Sequence, residues 1–186
     1  MKDDSKENAR ACGQPGGPED INTAISVTDC RFRPATNADA EAVRSLVFSV
    51  LSEYGLGADP ACTDRDLSDI EGSYAAHGGC FEVIVDAGGQ VIGSYGLYPL
   101  REGVCELRKM YLRRDCRGRG LGNTIMRRVL QQAPALGFRR MELETAAVLK
   151  EAIALYQAFG FRPFEPDHMS ARCNLAMFLD LPPAKP

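Results

Sequence analysis

The residues best suited to chemistry lie at 117–122, which read R-G-R-G-L-G. A strand-like run at 106–112 leads into this stretch, and a helical pattern at 121–133 leads out of it. Glycine lets a backbone turn tightly and bring its N–H groups close to a ligand. A helix that begins at such a turn adds unpaired N–H groups and the positive end of its dipole. Strand, glycine turn and helix N-terminus together make a site for phosphate. The dinucleotide pattern G-x-G-x-x-G accepts Gly118 and Gly120 but puts Asn123 at its last glycine, and the Gly-Lys-Ser/Thr ending of a P-loop is absent. Arg113, Arg114, Arg117, Arg119, Arg127 and Arg128 face a single acid, Asp115, within residues 113–128. Arginine suits phosphate better than lysine does. An RNA-binding stripe would interleave aromatic residues with these arginines, and only Tyr111 is near.

The other reactive residue types form no comparable constellation. The seven cysteines (Cys12, Cys30, Cys62, Cys80, Cys105, Cys116, Cys173) are odd in number and contain no C-x-x-C. That spacing argues against a disulfide framework and against a zinc site, so no metal is expected. Most read as small apolar residues in or near the core. Cys116 stands among four arginines, which would lower its thiol pKa, and it reads as modifiable but not catalytic. His77 and His168 have no identifiable partner and read as surface residues.

These residues need a scaffold. Residues 30–33 suit a short edge strand ended by Pro34, and Thr36-x-x-Asp39 resembles a capping box. Val43, Leu46, Val47, Val50, Leu51 and Tyr54 fall on one helical face. The stretch 55–79 carries Asp59, Asp64, Asp66, Asp69 and Glu71 against Arg65 and reads as a loop with one short helix near 66–75. Residues 80–86, 90–97 and 104–112 form a strand meander, the last strand kinked near its end. Leu121, Ile125, Met126, Val129, Leu130 and Ala133 make a second helical stripe, with Arg127 and Arg128 on its outward face. A half-buried strand at 141–145, a helix at 151–159 and two strands at 161–164 and 173–180 complete the order β-α-α-β-β-β-α-β-α-β-β. Meander strands are antiparallel and a strand–helix–strand unit implies a parallel pair. The fold class is therefore α/β (α+β), a mixed, mostly antiparallel sheet flanked by helices.

Arg117, Gly120 and Gly122 satisfy the pattern Arg-x-x-Gly-x-Gly, and L-Y-x-x-x-G-F follows at 155–161. On these motifs the chain resembles GNAT-superfamily N-acetyltransferases over residues 31–181, most strongly over 106–161. The resemblance implies an acyl-CoA N-acyltransferase fold and acetyl-CoA as co-substrate. Cofactor contacts would come from Met110, Tyr111 and Leu112 on the strand, and from Arg117, Gly118, Arg119, Gly120, Leu121, Gly122 and Asn123 in the loop. The Met110 N–H would polarise the thioester carbonyl, Glu106 would act as general base and Tyr156 as general acid toward the sulfur. Glu142 and Glu144 offer alternatives to Glu106, and a mechanism without a dedicated base stays open. Many members carry Asn where this chain has Leu149, so that contact is lost or moved, Thr145 being a candidate. The helices and loop before the meander overhang the acceptor in this fold, and the acidic stretch there suggests a cationic amine: a small molecule, a lysine side chain or a protein N-terminus. A non-catalytic acetyl-CoA-binding regulatory domain is the second reading.

Length and composition bound the rest. A chain of 186 residues, 45% hydrophobic and 25% charged, fits one domain with tails. The expected division is a tail at 1–28, a domain at 29–181 and a tail at 182–186. A net charge of -3 gives no general reason to expect nucleic acid as a partner. No apolar run approaches the roughly 20 residues of a membrane span, and no signal peptide is apparent. The cytoplasm is the expected location, and a homodimer is compatible with this reading.

Overall fold

The computed structural model describes residues 30–183, so the expected tails and Cys12 lie almost wholly outside the described residues. A seven-stranded sheet runs through the molecule in the order β1-β2-β3-β4-β5-β7-β6. Its strands are β1 (Arg31–Pro34), β2 (Cys80–Val85), β3 (Val91–Arg101), β4 (Val104–Leu112), β5 (Arg140–Thr145), β6 (Arg162–Phe164) and β7 (Leu175–Asp180). All neighbours are antiparallel except β4 and β5. The helices are α1 (Ala40–Glu53), α2 (Ile70–Ser73), α3 (Leu121–Ala135) and α4 (Lys150–Ala158). This is the mixed sheet with flanking helices that the order of elements predicts.

Strand alternation divides the interior into two cores, because successive side chains point to opposite faces. Phe81, Val83 and Val85 of β2 pack with Val43, Val47 and Leu51 of α1 and Ile70 of α2. Ile84 joins Ile125, Met126 and Val129 of α3 and Tyr156 of α4 on the other face. A polar clasp also ties α3 to the sheet. Buried Glu82 accepts hydrogen bonds from Arg128 at 2.5 Å, Tyr95 at 2.5 Å and Gln132 at 2.9 Å. Arg128, expected to face outward, thus reaches back to β2. The reason is its carboxylate partner, which the helical stripe of α3 does not reveal.

The single helix expected near 66–75 is three short turns instead. A 3-10 turn at Arg65–Ser68 is followed by α2 and a second 3-10 turn at Ala75–His77. Asp69 causes the break. Its backbone is extended (φ -145°, ψ 83°), and its side chain accepts from the Gly72 N–H at 2.9 Å, capping α2. Asp in this role competes with continuation of the preceding helix. The capping signal at Thr36 is present, with the Asp39 carboxylate accepting from the Thr36 N–H at 2.9 Å.

Candidate active site

The site forms where β4 and β5 part. Their parallel pairing covers only Val104–Arg140, Cys105–Met141 and Glu106–Glu142. Beyond this β4 continues to Leu112, while β5 pairs with β7 through Thr145. The two strands therefore diverge, and the β4 edge from Leu107 onward faces a gap. The kink is a bulge: Arg108 pairs with Gly96 and Tyr111 with Ser94, so Lys109 and Met110 together oppose Tyr95. Lys109 adopts φ 52°, a left-handed conformation more usual for glycine at this bulge position. The extra residue shifts the pleat. Cys105 and Leu107 face the α3 core before the bulge, and Met110 and Leu112 face it afterwards, leaving Tyr111 with the α1 core.

A cavity of about 1040 Å³ fills the splay. Glu106, Met110, Tyr111, Leu112 and Tyr156 line it together with Gly118, Gly120, Gly122 and Asn123. The glycine loop runs past a 3-10 turn at Arg114–Cys116 and enters α3 at Gly120, the N-cap residue. Gly118 and Gly120 have φ of 71° and 84°, and a Cβ built on either would meet no protein atom within 4 Å. The loop therefore needs glycine for its backbone shape, while the space beside it stays open toward the cavity. A diphosphate fits these features: a left-handed glycine turn, a helix N-terminus and an unobstructed approach.

Three of the expected cofactor residues contribute differently. The Leu121 side chain is 1% exposed in the α3 core, which leaves only its amide for the loop. Arg117 lines the cavity, but its guanidinium bonds the Leu112 carbonyl at 2.8 Å and Glu53 of α1 at 2.7 Å. It braces the loop against α1. Arg119 lies outside the cavity lining, whereas Arg114 is part of it. Cys116 corrects the expectation of a modifiable thiol. It is fully buried, and burial followed by the Asp115 carboxylate pushes its thiol up. Arg113, which would act oppositely, forms its own ion pair with Asp115 at 2.7 Å.

The carboxylates sort by position. Glu106 is bound by the Arg108 Nε at 2.6 Å, and Arg108 stacks over the Tyr98 ring at 3.8 Å. Burial pushes the Glu106 carboxyl up, Arg108 pulls it down and Glu144 adds to the rise, with a net shift upward. Glu144 lines the same cavity and accepts from the Ser170 N–H at 2.9 Å and its hydroxyl at 2.6 Å. Glu142 is outside it, paired with Arg101 and Arg140 at 2.6 and 2.8 Å. Tyr156 is 7% exposed and rests against Phe161 with ring centres 5.8 Å apart. Burial raises its phenol well above the usual range. Thr145 and Leu149 both line the cavity, as does His168, whose residue is exposed.

The acidic stretch is partly neutralised within the protein. Asp64 is buried, held by Arg172 through two contacts of 2.6 Å and by Lys109 at 2.8 Å. Burial would push its carboxyl up, but the hydrogen bonds from Arg172 and Lys109 outweigh this and hold it far below the usual carboxylate range. Tyr74 donates to Asp66 at 2.5 Å. Asp59 accepts from the Thr63 hydroxyl at 3.0 Å, and Glu71 from the Asn37 N–H at 2.8 Å. Asp64 and Asp66 thus meet cations within the protein, whereas Asp59, Asp69 and Glu71 bond neutral groups and keep their charge. Lys109, Arg172 and the Ser170 contact escape sequence reading, since no motif marks them and their partners lie 26 to 108 positions away. Among the described residues no cluster suits a metal ion, and no helix is long and apolar enough to cross a membrane.

Comparison with known proteins agrees with this geometry. Residues 45–161 match the model of the acetyltransferase (GNAT) family. The chain is 40% identical over 135 residues to the "Uncharacterized N-acetyltransferase YjgM" of Escherichia coli K12, covering 70% of this chain and 80% of that protein. A GNAT-family acetyltransferase from Staphylococcus aureus Mu50 superposes with a TM-score of 0.77 at 20% identity, over 82% of this chain and 99% of that one. YncA of Salmonella typhimurium, a putative acetyltransferase solved with acetyl-CoA, gives a TM-score of 0.66 at 20% identity over 83% and 95% of the two chains. The splayed strands, the left-handed glycine loop and the matched family model lead to one assignment: the chain belongs to the GNAT family and is an N-acetyltransferase.

Proposed function

We propose that this chain transfers an acetyl group from acetyl-CoA to the primary amine of a small molecule or peptide, with Glu106 as general base and Tyr156 as general acid. The observation that carries the reading is the junction of the β4–β5 gap with the open Gly118–Gly120 turn. It gives an extended strip of backbone leading from a diphosphate cradle to a carboxylate and a phenol. The Salmonella protein solved with acetyl-CoA supports the choice of co-substrate. A domain that merely bound the cofactor would need the loop but neither Glu106 nor Tyr156 in the cavity.

Acetyl-CoA supplies the acyl group as a thioester, a ready electrophile for an amine. The loop amides hold the diphosphate, and the β4 edge pairs with the amide-bearing arm as an added strand would. Preorganised donors aimed at a carbonyl stabilise the charge that develops on it, and the Met110 N–H lies where β4 faces the gap. An ordinary alkylamine has a pKa near ~10.4 and is almost wholly protonated at neutral pH. Glu106 takes up that proton, directly or through water. Tyr156 keeps its own proton through the neutral range and delivers it to the departing sulfur.

Around the acceptor end Arg108 pairs with Glu106 and Arg172 with Asp64, while Glu144 bonds Ser170, so the site offers both signs of charge. In a panel of amino acids, polyamines, aminoglycosides and lysyl peptides, at least one amine is expected to raise thiol release from acetyl-CoA well above slow hydrolysis. Binding of acetyl-CoA with no amine raising thiol release would leave only the binding-domain reading.

The raised carboxyl of Glu106 has a kinetic consequence. A base works only when deprotonated, so kcat/KM is expected to fall on the acid side, with its midpoint above the ordinary glutamate range near ~4.3. Glu106→Gln is expected to remove that limb and lower kcat by about 100-fold. A pH profile of the variant that matched the wild type would reassign the base, with Glu144 next in line.

A further inference from the structure

The bulge in β4 is held from two sides, and both restraints act on one peptide. The Ser94 hydroxyl of β3 donates to the Lys109 carbonyl at 2.8 Å, and Ser94 is fully buried. The Lys109 ammonium donates to the Thr63 carbonyl at 2.7 Å and to Asp64 at 2.8 Å, and lies 3.2 Å from Asp66. Arg172 grips both oxygens of Asp64 at 2.6 Å, so the anchor is itself fixed. A trans peptide points its C=O and N–H in opposite directions. With the Lys109 carbonyl taken by β3, the Met110 N–H of the same peptide must point away from β3, toward the gap that β5 has left. A non-glycine residue at φ 52° is strained, and something must hold it there. The buried ammonium cluster does.

We infer that Ser94 and Lys109 are positioning residues for the transfer reaction: together they aim the Met110 N–H at the thioester carbonyl. The inference rests on the acetyl-CoA reading above. Ser94 also does more than orient, since a donor on the carbonyl of a peptide polarises its N–H and strengthens it as a donor in turn. The anchor of Lys109 lies in the segment before α2 and that of Asp64 in the segment before β7. The two acceptor-side segments and the donor to the thioester therefore form one rigid unit. Neither side chain is asked to touch the reacting atoms.

The carbonyl stretch of bound, carbonyl-labelled acetyl-CoA reads the donor directly, by isotope-edited infrared spectroscopy. In the wild type this band is expected at lower frequency than in free acetyl-CoA. In Ser94→Ala and Lys109→Met it is expected to move back toward the solution position, with kcat down about 10-fold or more. Affinity for CoA, which lacks the thioester carbonyl, is expected to stay within about 2-fold because the glycine loop is untouched. A structural role alone would not move the band in a folded variant. Lys109→Met leaves Asp64 with Arg172 and the Asp59 N–H; should that variant not fold, Ser94→Ala, which removes one oxygen, carries the test. A folded Ser94→Ala protein with an unshifted band and unchanged kcat would overturn the inference while leaving the transferase reading intact. A wild-type protein that does not bind acetyl-CoA would overturn both.

Discussion

Tyr156→Phe is expected to lower kcat by about 100-fold or more with little change in stability or in acetyl-CoA affinity. The ring is what the fold uses: it packs in the α3 core and against Phe161, and phenylalanine keeps both contacts. No hydrogen bond ties the hydroxyl to another group among the described residues, so its removal leaves no buried partner unsatisfied, the usual source of a large penalty. On the proposed reading, what is lost is the proton donor to the departing sulfur. Burial keeps the phenol protonated well beyond neutral pH, so the donor is available wherever the amine and Glu106 are competent. Single-turnover thiol release isolates the chemical step from product release. A variant that turned over at the wild-type rate under those conditions would leave Tyr156 as a packing residue, and the leaving thiolate would have to be protonated by solvent.

The contrast between Tyr156 and its neighbours shows what sequence can reveal here. Tyr156 and the glycine loop are local signals: a helix stripe, a turn that only glycine accommodates, a fixed order of strand, loop and helix. Such features follow from short-range sterics and were legible, as were the order of elements and the kink in β4. The residue at the kink was not. The Lys109 side chain at that left-handed position is anchored by Asp64, 45 positions earlier, which is fixed in turn by Arg172, 108 positions after Asp64. Nothing in the residues flanking Lys109 encodes that arrangement. The same blindness produced the expectation for Cys116, which is drawn from charge along the chain. In the fold Asp115 takes Arg113 within the same turn, while Asp64 takes Lys109 and Arg172 and Glu53 takes Arg117 across elements. Counting charge along a sequence reports composition, whereas a titrating group responds to what lies within a few ångströms.

The glycine loop permits a test in which fold and ligand separate. Gly120→Ala is expected to weaken acetyl-CoA binding by about 100-fold, the loss of one or two charge-assisted hydrogen bonds at roughly 1.5–3 kcal/mol each. The protein has no steric objection to the methyl group, since no atom lies within 4 Å of where it would sit. The backbone objects, because alanine at φ 84° costs roughly 1–2 kcal/mol. Relief of that strain would turn the loop amides away from the diphosphate that the proposed reading places there. Gly137 provides the matched control. Its φ is 90°, its added Cβ also meets nothing within 4 Å, and it lies outside the cavity lining, in the turn after α3. Gly137→Ala should therefore lose similar stability in a thermal melt and keep its affinity by calorimetry. Equal affinities for the two variants would mean that the loop does not grip the diphosphate, and the cofactor would have to be held by the β4 edge alone.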